Sequence, residues 1–247
     1  MDPHNPDRAH RWRPFAKEVS IIVLGVVIAL VGQQIVEAAN WSQQVGEARA
    51  ALSVEFSGDI ALADERAEIA PCIARRIQDI AAILDTAGRT GRLPPVGQIG
   101  GPPDRTWTVA SWSSTLASQT AAHLPQKQLL DYGSLATYGG LLQTYNADEL
   151  TTWAQLDTIV GPGRPTDLAE IGQLRANLSR AHLLAKQMTS DSEQLARWIR
   201  RSGIASRSIW PDDPQPQSVA PICAPLGQAP TSYGAAPLRY ELPGWKP

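Results

Sequence analysis

The feature that most constrains this chain is an apolar run near its N-terminus. Val19 to Val31 carries no charge, and the run continues through Gly32, Gln33 and Gln34 to Ile35 and Val36. Counted to Val36 it has 18 residues, or roughly 27 Å of helix against a hydrocarbon core of about 30 Å. A segment of this length just spans a bilayer. Phe15 and Trp41 lie 26 residues apart, roughly 39 Å on a continuous helix, close to the roughly 40–45 Å that includes both headgroup layers. Amphipathic rings concentrate at that level, so both read as interfacial anchors. A core helix of a soluble protein would need no charged and aromatic flanks at membrane spacing.

Cation bias sets the expected orientation. Arg8, Arg11, Arg13 and Lys17 precede the span, whereas Arg49 is the single cation in the twenty residues after it. The N-terminus is therefore expected in the cytoplasm and the bulk of the chain in the periplasm, with the span in a bacterial inner membrane. A cleaved signal peptide is the competing reading, with Val36-Glu37-Ala38 as a tolerable cleavage site. The glutamines and the glutamate before that site, and the lack of any helix break there, favour an uncleaved anchor. Cys72 and Cys223, both on the expected outer side, fit an oxidising compartment and are expected to pair, the alternative being two buried free thiols. Their spacing excludes a CxxC redox or zinc motif.

Beyond the span the helical pattern continues: Trp41, Val45, Ala48, Leu52, Phe56 and Ile60 recur at intervals of three and four. A second stretch carries Ile69, Ile73, Ile77, Ile80 and Leu84 and ends at Gly88, with Pro71 either kinking it or opening its first turn. The Gly/Pro-rich connection from Gly88 to Pro103 admits no regular element. A third helix is expected from about Thr106, with Trp107, Trp112 and Leu116, closed by Pro125. A fourth holds Leu129, Leu130, Leu135, Tyr138, Leu141 and Tyr145, and either runs on through Trp153, Leu156 and Ile159 or restarts at an Asn146–Glu149 capping box. The last carries Ile171, Leu174, Leu178, Ala181, Ala185, Met188, Ser192, Leu195 and Ile199 in three-four alternation, capped by Gly203.

From Gly203 to Pro247 the chain has nine prolines and almost no periodicity, and cannot supply its own core. A Cys72–Cys223 bridge would pin this tail to the second helical stretch, with Ile209, Trp210 and Trp245 as apolar contacts. The expected fold is all-α: a cytoplasmic tail (1–18), one transmembrane helix (19–36) extended into a periplasmic helical bundle (37–202), and an irregular Pro-rich wrapped tail (203–247).

Glu18-Val19, Gly25-Val26-Val27-Ile28-Ala29-Leu30, Gln33-Gln34 and Asn40-Trp41 together resemble a bacterial family of single-span, membrane-anchored helical proteins of unassigned function. Trp112 through Tyr138, with its Leu-Pro and Tyr-Gly steps, is also similar, so the resemblance covers about two-thirds of the chain and leaves out the Pro-rich tail. It implies a membrane-anchored helical protein and brings no catalytic residues with it.

Reactive chemistry is sparse. His4 and His10 fall in the cytoplasmic tail, leaving His123 at a helix end and His182 beside the apolar stripe, both read as structural. No G-x-S-x-G, H-E-x-x-H or phosphate-loop motif occurs, Asp212-Asp213 before Pro214 reads as a turn, and no cofactor or metal is expected. Glu65 and Glu68, beside Arg66 and Arg75, read as solvated faces, and Trp107, Trp112, Trp153 and Trp198 as core. With 22 Lys+Arg against 24 Asp+Glu, no nucleic-acid partner is expected, since that would need clustered cations.

Within the span, Gly25, Ala29 and Gly32 place small side chains along one face, and Gln33 beside them would prefer a hydrogen-bonding partner to lipid. This points to contact with another membrane protein, or with a second copy, through the transmembrane helix. The function expected is a membrane-anchored periplasmic scaffold or accessory subunit binding a partner membrane protein or complex, respiratory or photosynthetic complexes being one such class. The alternatives are a periplasmic ligand sensor signalling through a partner, and an envelope enzyme.

Overall fold

The computed structural model describes residues 7–205 and 220–226, without the side chains of 7–11, 13, 14, 220 and 221. Among these residues the chain is mostly helical. The readings on His4, Ile209, Trp210, Asp212, Asp213 and Trp245 lie outside this description, as do the side chains of Arg8, His10, Arg11 and Arg13.

The first two helical stretches are one element, α1 (Asp7–Thr90). Pro71 neither opens nor ends it. Proline deprives the carbonyl four residues back of its donor, but here Ala67 and Pro71 are both exposed, so that carbonyl lies on the solvent side. The helix stops at Gly91, whose φ of +65° suits glycine and whose N–H donates to Ala87 O at 2.9 Å.

A two-residue antiparallel pairing of β1 (Arg92–Leu93) with β2 (Arg164–Pro165) crosses the connection expected to be irregular throughout. It is extended by a bridge between Val96 and Gly161. The pairing needs Gly163: its φ is +86°, and a Cβ there would meet Leu93 O and Pro95 N at 3.0 Å.

The third helix, α2 (Ala110–Ala117), begins later than Thr106. Residues before it are held by side chains of the following helix, as Trp107 N–H donates to Gln143 Oε1 at 2.8 Å and Arg105 N–H to Asn146 Oδ1 at 3.4 Å. A 3₁₀ turn (Thr120–His123) leads to α3 (Gln126–Leu156), which runs through Asn146 without restarting. A second 3₁₀ turn (Asp157–Ile159) follows.

The last long helix, α4 (Leu168–Arg201), starts at Asp167, whose side chain accepts from Glu170 N–H at 2.8 Å. Glu170 is in turn gripped by Arg164 and Thr166, and those hydrogen bonds hold its carboxyl down at about 2. At its end Gly203, φ +83°, donates to Arg200 O. A short turn of helix, α5 (Ala220–Cys223), completes the described elements.

Contacts divide the chain into two units, Met1–Ser53 with Ala110–Tyr132, and Val54–Val109 with Gly133–Pro247. The second holds the main apolar core, built from Ile69, Ile73, Ile77, Ile80 and Leu84 of α1, Trp153 and Leu156 of α3, and Ile171, Leu174, Leu178 and Ala181 of α4. Val96, Ile99 and Ile222 close it. The α4 stripe faces inward because its apolar residues share one side of a 3.6-residue helix.

Candidate functional site

The apolar stretch of α1 is long and apolar enough to cross a membrane, with a mean hydropathy of 2.4 over its best 18 residues and none of that window buried. Its small-residue face is open: a Cβ built on Gly25 or Gly32 would meet no neighbouring atom within 4 Å, and Ala29 and Gln33 are exposed beside them. Phe15, at the near end, is 60% exposed and packs edge-to-face against Trp12 at 6.4 Å.

At the far end Trp41 has a partner that sequence reasoning missed. Its ring stacks on that of His123, with centroids 3.8 Å apart and planes 17° from parallel. The expectation that His123 merely ends a helix is thus incomplete. The two residues line a groove of about 570 Å³ together with Gln34, Glu37, Val45 and Arg49. Arg49 Nε donates to Gln128 Oε1 at 2.9 Å, tying the first turn of α3 to α1.

In the second unit Cys72 and Cys223 are bonded to each other. Arg76, one turn further along α1, is 2% exposed and reinforces the same attachment. Its guanidinium donates to the carbonyls of Ile99 and Ala224, and to Ile222 O at 3.3 Å. An arginine suits this place because its planar fork reaches several acceptors at once. No sequence signal marks it, since the acceptors are backbone atoms.

The carboxylates read as solvated are partly otherwise. Glu65 forms a two-pronged pair with Arg105 at 2.6 Å, both nearly buried, while Glu68 and Arg75 are exposed. Arg66 is buried against Glu149, with hydrogen bonds of 2.7 and 2.8 Å. Asn146 and Glu149 therefore serve not as a capping box but as a buried polar layer, Asn146 Nδ2 also donating to Asp104 at 2.9 Å. Trp107 and Trp153 are core, whereas Trp112 and Trp198 are half-buried, the latter edge-on to Tyr138. His182 is exposed on α4 in a shallow groove with Ala70, Ile77, Lys186 and Glu193.

Among the described residues Asp59 is the most perturbed acid. It is 2% exposed, and its Oδ2, which faces Gly139 of α3, has no hydrogen-bond partner. Burial, and then the nearby Glu55 charge, push its carboxyl from 3.8 up to about 8. The folded chain therefore keeps a proton that the unfolded chain releases, so the contribution of Asp59 is fully present below pH 3.8 and is lost as pH rises to about 8. Asp59→Asn is expected to flatten this dependence and to raise the unfolding free energy at pH 8 relative to the parent, by an amount on the order of a few kcal/mol. Melting curves between pH 4 and 9 check this; a variant as pH-sensitive as the parent would contradict it.

Among the described residues no group of three or more His, Cys, Asp or Glu side chains is placed to hold a metal ion. No family model, curated protein or solved structure matches the chain. What its own residues define is a mostly helical protein with one long apolar helix and an intrachain disulfide.

Proposed function

We propose that the chain is a membrane-anchored periplasmic scaffold or accessory subunit, which binds a partner membrane protein through the face formed by Gly25, Ala29, Gly32 and Gln33. The observation that carries this reading is the apolar stretch of α1, uncovered on every side and continuous with the rest of that helix to Thr90. In lipid there is no hydrophobic gain from pairing apolar helices, so association depends on close backbone approach and interhelical hydrogen bonds. The open positions at Gly25 and Gly32 permit the first, and the Gln33 amide supplies the second.

A photo-crosslinking residue at Ala29 in native membranes is expected to give one discrete crosslinked product. It should be lost in Gly25→Leu and absent when the crosslinker sits at Val27 on the opposite side. Equal yield from both faces, or none from either, would contradict the proposal; a product of twice the chain's mass would identify the partner as a second copy.

A further inference from the structure

We infer that the turn between α2 and α3 is a second membrane contact, seated among the phospholipid headgroups on the side where the span emerges. The inference rests on the spanning reading above and adds a surface to it. Trp41 lies five residues past Val36, roughly 7 Å along the helix, which is about the depth of one headgroup layer. The stack of His123 on Trp41 places the 3₁₀ turn Thr120–His123 at that same depth. The Arg49–Gln128 hydrogen bond, two turns further along α1, ties the first turn of α3 to the same helix and so holds the turn against it.

The chemistry of the turn suits that depth. From Ala110 to Leu130 the chain contains no Asp or Glu in 21 residues, Asp131 following at once, while His123 supplies a ring donor and Lys127 an ammonium that Asp131 partners. Ala122, His123 and Pro125 are exposed at the tip, and the helices entering and leaving it carry Leu116 at 51% and Leu130 at 62% exposure. An exposed tip that bears a ring N–H and an ammonium beside Trp41 matches the phosphodiester level of a headgroup layer. The phosphodiester oxygens accept from His123 and from the remaining N–H groups of Lys127, which is 87% exposed and paired with Asp131 at 2.7 Å. The groove at Gln34, Glu37 and Trp41 opens at the same height and gives a headgroup room beside the turn.

The test uses the full chain, disulfide intact, in vesicles of phosphatidylethanolamine and phosphatidylglycerol. A fluorescent label is placed singly at Ala122→Cys, Ser42→Cys, Thr144→Cys or Ile28→Cys, and lipids carry a nitroxide on either headgroup or acyl chain. Headgroup nitroxide is expected to quench the Ala122 label about as strongly as the Ser42 label, and several-fold more than the Thr144 label. His123→Glu with Lys127→Glu should cut quenching at Ala122 several-fold and leave acyl-chain quenching at Ile28 unchanged. A quenched Ile28 label with an unquenched Ala122 label overturns the second contact alone. An unquenched Ile28 label overturns the anchor and the contact together.

Discussion

Replacing Glu149 with leucine is expected to lower the thermal midpoint by roughly 10 °C, because it strands the Arg66 guanidinium without its partner in the interior. The pair is 6% and 3% exposed, so water cannot take over from the lost carboxylate. The remaining acceptors, Thr189 Oγ1 at 3.4 Å and Ala185 O at 3.3 Å, are uncharged and do not replace the carboxylate's charge. An uncompensated buried charge costs about 3–5 kcal/mol, whereas replacing a whole buried pair by apolar residues is often near neutral. Arg66→Met combined with Glu149→Leu is therefore expected to recover most of the loss. Circular dichroism melts of the two single variants and the double variant measure the coupling. A double variant as unstable as the sum of the singles would show that the pair does not act as a unit.

The second large effect is expected where the tail meets α1. Cys72 and Cys223 are 151 residues apart, and a chain-entropy estimate for a loop of that size gives about 5 kcal/mol. Cys72→Ser with Cys223→Ser should melt well below the parent and show no shift on adding reductant, whereas the parent's midpoint is expected to fall. Arg76→Met leaves the bond in place but deprives the carbonyls of Ile99, Ile222 and Ala224 of their buried donor. Unmade buried hydrogen bonds of this kind cost roughly 1–3 kcal/mol each. Limited proteolysis is expected to cut residues 220–226 faster in Arg76→Met than in the parent, and fastest when the bridge is also removed. Proteolysis of that segment at an unchanged rate in Arg76→Met would contradict the role given to its guanidinium.

The parts of the fold legible in the sequence are those set by local period and by counting. The α4 stripe could be seen because its apolar residues repeat within one element, and the apolar run of α1 because length and hydropathy suffice. The two cysteines, being the chain's whole complement, had one intrachain pairing open to them. What stayed hidden depends on residues far apart in the chain. Glu65 and Arg66 sit among other charges as a surface ladder would, and their burial comes from Arg105 and Glu149, 40 and 83 residues away. Asn146 and Glu149 satisfy a capping pattern, but α3 continues through them because their side chains are engaged by Arg105, Asp104 and Arg66. Pro71 looked like a boundary, yet the face on which it falls lets the helix pass. The Trp41–His123 stack is likewise a contact between two elements that neither segment announces.

In the proposed arrangement Val19–Val36 crosses the bilayer and the residues after Trp41 are exported. Protease added to intact spheroplasts is the most direct test. The chain from about Trp41 onward should be digested, leaving a membrane-protected N-terminal fragment that contains Phe15. Survival of the chain beyond Trp41 until the cells are lysed would contradict it.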